Sequence, residues 1–233
     1  MQKIPILLTF LVVVVAVDAR ASLLTNGSFE TTTPSVPAGS FVNFLPGSTG
    51  ITGWTVVGLT GTEVSIVNAF SQNGISFSAE DGSNWLDLTG DGTNNDTEGV
   101  TQTIATNPGD QYSLSFYVGN VFNPTGIFGT TSTVDVSENG SSLGPFENSC
   151  TTCTSSLTWE LFTTTFVATN SSTTLTFLNG DPANDNSNGL DNVSLVDNGP
   201  VGAVPEPTSL MLVSSGLVLL GLAGTRRRVP RSR

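Results

Sequence analysis

Carboxylates and side-chain amides are the groups whose number and spacing could do chemistry in this chain. Two stretches concentrate them, Asp87-Leu88-Thr89-Gly90-Asp91-Gly92-Thr93-Asn94-Asn95-Asp96-Thr97-Glu98 and Asp181-Pro182-Ala183-Asn184-Asp185-Asn186-Ser187-Asn188-Gly189-Leu190-Asp191. Runs so rich in oxygen suit Ca²⁺, which takes roughly 6–8 ligands from carboxylates, amide oxygens and backbone carbonyls. Neither has the offsets of an EF-hand loop, and Asn, Asp and Gly are equally the residues of polar turns. On inventory alone Asp87, Asp91, Asp96 and Asp185 are candidate calcium ligands. Paired carboxylates can also hydrolyse a glycosidic bond that they flank. That is the more distant alternative, because most carboxylates in so acidic a chain are expected to be solvated surface groups.

The missing residue types say more. No Lys, Arg or His occurs between Ser22 and Val204, and of the nineteen acidic residues only Asp18 and Glu206 lie outside that span, so seventeen carboxylates share it with no cation. Ser-His-Asp, Cys-His and Ser-Lys nucleophiles, Schiff-base chemistry and His-ligated zinc are thereby excluded. Nucleic-acid binding is excluded by the same count, since no cation is present to displace counterions from phosphates. The expectation is a protein that is not an enzyme.

Two further features carry chemistry. Cys150-Thr151-Thr152-Cys153 lacks the βαβ setting and helix N-terminus of a redox motif, and in an exported chain it is expected to close as a small disulfide. Among the aromatic residues, Trp54 and Trp85 sit inside apolar strand patterns and read as core. Trp159 follows the cysteine segment and is ambiguous. Phe122 and Phe128 lie in a long irregular segment, Asn120 to Gly129, that is either a ligand-touching tip or a loop folded over the end of the domain.

The elements that must position these residues are strands. Short apolar runs are separated by turn signals, and several alternate with period two: Tyr112, Leu114, Phe116 and Val118 share one face, as do Leu175 and Phe177. Candidate strands are Leu23 to Glu30, Ile51 to Val57, Glu63 to Ala69, Trp85 to Leu88, Val100 to Ala105, Tyr112 to Gly119, Ser132 to Ser137, Leu157 to Ala168, Thr173 to Leu178 and Leu190 to Val196. Turns fall at Asp81-Gly82, Asn107-Pro108-Gly109-Asp110 and Glu138-Asn139-Gly140. Many short strands, each with one apolar face, predict an all-β domain, a jelly-roll β-sandwich over residues 22–198.

The ends of the chain are different. Lys3, an apolar stretch from Ile4 to Val17 and Ala19-Arg20-Ala21 read as a signal peptide over residues 1–21, the apolar run being shorter than the roughly 20 residues of a bilayer crossing. Signal peptidase and the general secretion machinery are then partners. After residue 198 come a linker (199–207) containing Pro205-Glu206-Pro207, an apolar segment expected as a helix (208–225) and a basic tail (226–233) with Arg226, Arg227 and Arg228. The prolines break any continuing strand or helix, and the arginines would hold the end on the cytoplasmic side of a membrane.

That order of parts resembles the PEP-CTERM sorting signal of bacterial exported proteins. The resemblance implies an exosortase partner, removal of a transient membrane helix, and a secreted or surface-held product of a Gram-negative bacterium, with an inner-membrane precursor and a link to exopolysaccharide matrix. The domain itself, through Asn26-Gly27-Ser28-Phe29-Glu30, Ile51-Thr52-Gly53-Trp54-Thr55-Val56, Val64-Ser65-Ile66-Val67, Gly82 to Gly90, Gly99 to Ile104 and Leu190-Asp191-Asn192-Val193-Ser194-Leu195, resembles the choice-of-anchor C domain. That family is similar to a plant cell-wall domain of unknown function and to galactose-binding-like carbohydrate-binding modules. Such modules carry a structural calcium near the first and last strands, which on this chain implies Glu30 and Asp191 as ligands. The expected function is non-catalytic association with extracellular polysaccharide; a structural surface or biofilm protein without a specific ligand is the alternative.

Overall fold

The computed structural model describes residues 21–91, 98–182 and 186–202, and the signal segment, the Pro-Glu-Pro motif, the apolar tail, Asp96 and Asp185 lie outside them. Among the described residues every regular element is a strand. In chain order they are β1 (Phe41–Phe44), β2 (Thr55–Val57), β3 (Val64–Asn68), β4 (Phe70–Gln72), β5 (Ile75–Phe77), β6 (Asn84–Asp87), β7 (Gly99–Ala105), β8 (Asp110–Asn120), β9 (Ser132–Glu138), β10 (Ser141–Asn148), β11 (Thr158–Val167), β12 (Ser172–Asn179) and β13 (Gly189–Pro200).

Two antiparallel sheets face each other, a six-stranded one ordered β1-β3-β6-β13-β8-β11 and a five-stranded one ordered β10-β9-β12-β7-β2, as the jelly-roll reading expects. Period-two alternation sends Tyr112, Leu114, Phe116 and Val118 of β8, and Leu175 and Phe177 of β12, into the space between them, where Trp54 also lies. A second, smaller apolar cluster lies on the outer face of the six-stranded sheet. Along β6, Leu86 faces the main core while Trp85 faces outward into this second cluster with Val67, Ile75, Phe77, Val121, Phe128 and Leu157. Among the described residues, both clusters draw on residues between Leu24 and Leu195.

The covering of the outer face was not among the expected strands. Phe70-Ser71-Gln72 and Ile75-Ser76-Phe77 pair as a hairpin across Asn73-Gly74, both at positive φ (53° and 80°), the Asn-Gly turn that matches strand twist. Strands β1 and β10 were also unanticipated. Conversely, the expected strand at Leu23 to Glu30 is an irregular segment: Asn26 and Phe29 adopt positive φ (56° and 57°), outside the extended region of a regular ladder. It is held instead by single bonds to β13, Leu23 N–H to the Leu195 carbonyl (2.8 Å) and Val193 N–H to the Gly27 carbonyl (3.0 Å).

Candidate functional site

The register of the six-stranded sheet builds the site. Opposed residues of an antiparallel pair point to the same face, and one cross-strand row reads Trp159, Gly119, Gly189, Asp87, Ser65, Asn43. The row beside it contains Trp85, Val67 and Phe41. Both rows face outward, under the β4–β5 hairpin and the segment that follows β8. Between floor and cover is a cleft of about 230 Å³. Its floor is Phe41, Val67, Trp85, Ser65 and Asp87; the hairpin contributes Phe70, Gln72 and Phe77; Ile127 and Phe128 come from the loop, and Gly90, Asp91 and Asn186 from the turns beside β6 and β13.

The aromatic walls are fixed by one another. Phe77 is stacked with Trp85 (centroids 6.3 Å, interplanar 20°) and edge-on to Phe128 (4.9 Å), while Phe41 meets Phe70 edge-on at 5.6 Å. The polar end is Asp87. Its Oδ1 accepts the Thr89 N–H (3.1 Å), the Thr89 hydroxyl (2.8 Å) and the Asn188 N–H (3.2 Å). Burial nonetheless pushes the carboxyl up to about 7, the nearby Asp91 charge adding to the effect against those hydrogen bonds. The Trp85 indole N–H is buried and has no acceptor.

The sequence candidates are distributed as follows. Asp87, Asp91 and Phe128 line the cleft. Phe122 is half-buried and its N–H is tied to the Cys153 carbonyl at 2.9 Å, away from the cleft lining. Trp159 packs edge-on against Trp85 (5.9 Å) and donates its indole N–H to the Ser78 carbonyl (3.0 Å), so it supports the site from beneath the cover. In the segment after β8, Phe128 is folded into the second cluster, as the reading of a loop laid over the domain expects, and Ile127 is exposed at the rim of the cleft. Trp54 is core; Trp85 is core and cleft wall together.

Glu30 and Asp191 hold the segment Glu80 to Asn84. Glu30 Oε1 accepts the Ser83 and Asn84 N–H groups, both at 2.7 Å. Asp191 Oδ2 accepts the Glu80 and Asp81 N–H groups (2.8 and 3.1 Å), and Oδ1 accepts that of Asn192 (2.7 Å). Burial pushes the Asp191 carboxyl up to about 7 against these bonds, with Glu80 adding to it. Three of these four carboxylate oxygens already have backbone donors, and among the described residues no group of three or more Cys, Asp or Glu side chains is placed to hold a metal.

A network of buried polar side chains lies at the end of the sandwich. Asn179 Oδ1 must face the Asp181 N–H (3.1 Å), a donor only, so its Nδ2 turns to Glu98 Oε1 (3.1 Å). Asn188 must then present its NH₂ to Asn179 Oδ1 (2.7 Å) and the Thr133 carbonyl, which leaves its own Oδ1 buried without a donor. The neighbouring Ser187 Oγ is likewise buried and unpartnered. Glu98 and Asp181 are buried in the same network.

Cys150 and Cys153 are free thiols, where a disulfide was expected. The turn directs Cys153 Sγ to donate to the Cys150 carbonyl at 2.8 Å. Burial raises the Cys153 thiol to about 11, with Cys150 beside it adding to the shift.

Of the residues lining the cleft, Phe41, Phe70, Gln72, Phe77 and Asn186 were not anticipated. One signal was present: two alternating triplets around Asn73-Gly74 are a hairpin pattern.

Comparison with known proteins is consistent with this architecture. The family described as "Protein of unknown function (DUF642)" matches residues 22–196, and the PEP-CTERM protein-sorting motif matches residues 203–228. A search of curated proteins finds no match to the chain. Among solved structures, a cyclase from Fischerella sp. TAU, in complex with 4-(1H-indol-3-yl)butan-2-one, is similar over 78% of this chain and 99% of that one at 16% identity, with a TM-score of 0.56. TmCBM61, in complex with β-1,4-galactotriose, is 16% identical over 77% of this chain and all of its own, with a TM-score of 0.44. At 16% identity the likeness to the cyclase speaks to the fold alone.

Proposed function

The chain belongs to the DUF642 family and carries a PEP-CTERM sorting motif, and from that premise we propose that it is a non-catalytic polysaccharide-binding protein of the cell exterior. The sorting motif makes it an exported, exosortase-processed surface protein. The observation that carries the binding reading is the cleft on the outer sheet face: the half-buried rings of Phe41 and Phe70 and the exposed Ile127 to pack on the apolar face of a sugar ring, with Asp87, Gln72 and Asn186 to meet its hydroxyls. At about 230 Å³ it is smaller than the ~300–1,000 Å³ of pockets for drug-sized ligands, which suits one ring of a longer chain.

Calcium is a second part of the proposal. Asn188 Oδ1 and Ser187 Oγ are buried hard oxygens of the kind Ca²⁺ takes, and the buried carboxylates of Glu98 and Asp181 belong to the same end of the sandwich. The ion would hold the end of the sandwich closed.

Glycan-array binding by the segment from Ser22 to Gly202 tests the reading. Reproducible binding that is lost in Phe70→Ala and Asp87→Asn supports it; a blank array favours the alternative, a structural surface protein. Asp87 also supports a second reading, because a carboxyl that holds its proton near neutrality can act as a general acid. Release of reducing ends from a panel of matrix polysaccharides, abolished in Asp87→Asn, would establish that reading instead.

A further inference from the structure

We propose that the free edge of β11 joins two copies of this chain, their β11 strands pairing antiparallel about a two-fold axis at Thr164 so that the two six-stranded sheets run on into one another. The position of β11 is the first observation. It ends the six-stranded sheet and, among the described residues, pairs with β8 alone, through ten residues without a register shift. At the end of that ladder the Ala168 N–H donates to the Asp110 carbonyl (3.0 Å), so the even-numbered residues face β8. Trp159, Leu161, Thr163, Thr165 and Val167 therefore turn their N–H and C=O groups to the open side.

The other sheet edges are blunted by recognisable devices. β1 and β2 have only four and three residues, and on the open side of β2 the Val56 N–H and carbonyl are already taken by Ser48 and Gly47. β10 has eight, but a register shift between Ser142 and Gly144, and then Pro145, interrupt it. β11 has no proline, no glycine and one charge, Glu160, in a run of Thr, Phe, Leu and Val. Two large apolar side chains on it, Leu161 and Val167, are left 51% and 43% exposed.

The occupant is legible in the strand itself, whose sequence complements its own reverse. With Thr164 opposite its counterpart in the second copy, Leu161 meets Val167, Phe162 meets Phe166 and Thr163 meets Thr165, each pair occurring twice. Glu160 then lies opposite Ala168 and not opposite another carboxylate. A cationic partner would find a single carboxylate along β11, so charge does not recruit a different chain to this edge. A contact in which the same strand is used by both copies closes at two. Its axis stands perpendicular to the sheet, so both clefts open on one face, where, on the polysaccharide reading, they would hold two places on one polymer.

Sedimentation velocity of the protein in its exported, processed form, with no sugar present, tests the pairing. Over roughly 1–100 µM the monomer should give way to a dimer and nothing larger, the range expected of a small edge contact. The dimer fraction should rise with salt, since the seventeen carboxylates between Ser22 and Val204 of each copy repel those of the other. Thr163→Pro should abolish the dimer and keep the native near-UV spectrum, because a sheet tolerates proline where the N–H faces away from it. Independently of that variant, Thr164→Cys in a Cys150→Ser, Cys153→Ser background should cross-link to itself under mild oxidation. Ser142→Cys in the same background, on the edge of β10, should not. A monomer at every concentration overturns the proposal. So does a dimer that survives Thr163→Pro, growth beyond two copies, or cross-linking at Ser142→Cys as strong as at Thr164→Cys.

Discussion

The indole of Trp159 lies so close to Gly119 that a methyl group on that glycine would stand 2.8 Å from Cζ3 of the ring. Gly189, the next residue in the same cross-strand row, is similarly covered, at 2.9 Å from Cη2. The glycines are thus a seat for the ring that backs Trp85. Gly119→Ala is expected to cost about 1–3 kcal/mol as an overpacking change, or several degrees in Tm for a domain of this size. Thermal unfolding of Gly119→Ala, Trp159→Ala and the double variant checks it. The glycine substitution should become nearly neutral once the indole is gone; an unchanged cost would show that the ring is not what constrains Gly119.

Stability should fall as pH rises from about 4 to about 7 and level off above. Asp87 and Asp191 are both held at about 7, well above an unfolded aspartate. Between those values the folded chain binds more protons than the unfolded one, so unfolding becomes easier as pH rises through the window. Each group contributes on the order of a few kcal/mol at most. Melting curves at pH 5 and pH 8 measure the difference, and Asp87→Asn, which keeps the Oδ1 acceptor and cannot ionise, should reduce it. A higher Tm at pH 8 than at pH 5 would contradict both assignments.

The β-sandwich was legible because period-two alternation reports burial directly: every predicted strand from Glu63 onward lies on an observed one, within a few residues at its ends. The cleft was not legible, because the sheet has two buried faces. Trp85 and Leu86 are both fully buried, one under the hairpin and one in the main core, so the pattern along β6 reads as continuous core. Leu23 to Glu30 failed for the opposite reason. Its apolar residues Leu24 and Phe29 are buried as expected, yet positive φ at Asn26 and Phe29 breaks the ladder between them. Glu30 and Asp191, which the resemblance implies as calcium ligands, both accept backbone N–H groups of the segment Glu80 to Asn84, an anchoring role that no sequence pattern announced.

Calcium should raise the melting temperature of the Ser22 to Gly202 segment. If an ion is bound by Asn188 Oδ1, Ser187 Oγ, Glu98 and Asp181, saturating calcium at about 100 times its Kd adds ~2.7 kcal/mol by mass action. Asn188→Leu should remove that response. Superimposable melting curves in calcium and in EGTA would eliminate the site.

Thiol chemistry should distinguish the two cysteines. Cys150 is partly exposed, whereas Cys153 is buried and its thiol is raised to about 11. Iodoacetamide on the native, unreduced protein should therefore give one rapid adduct at Cys150 and a second only on unfolding. Intact mass follows both. No adduct without reductant, and a mass two hydrogens lower, would mean that the turn closes as a disulfide after all.

Asp191 should matter more to the cleft than its distance from the aromatic wall suggests. Its carboxylate is fully buried and gathers the N–H groups of Glu80, Asp81 and Asn192, so Asp191→Ala strands three donors and is expected to cost about 2–4 kcal/mol. The segment it holds connects β5 to β6, and Phe77 and Trp85 stand on either side of it as neighbouring walls of the cleft. Loss of the anchor frees Phe77 to move against Trp85, so oligosaccharide affinity should drop along with stability. Glu30→Gln gives the contrast. The Gln carbonyl can still accept from Ser83 and Asn84 at the Oε1 position, so Tm and affinity should both stay close to the parent values. If Asp191→Ala lowers Tm but leaves affinity untouched, the segment is a structural strap alone and the cleft wall is held by the hairpin's own contacts.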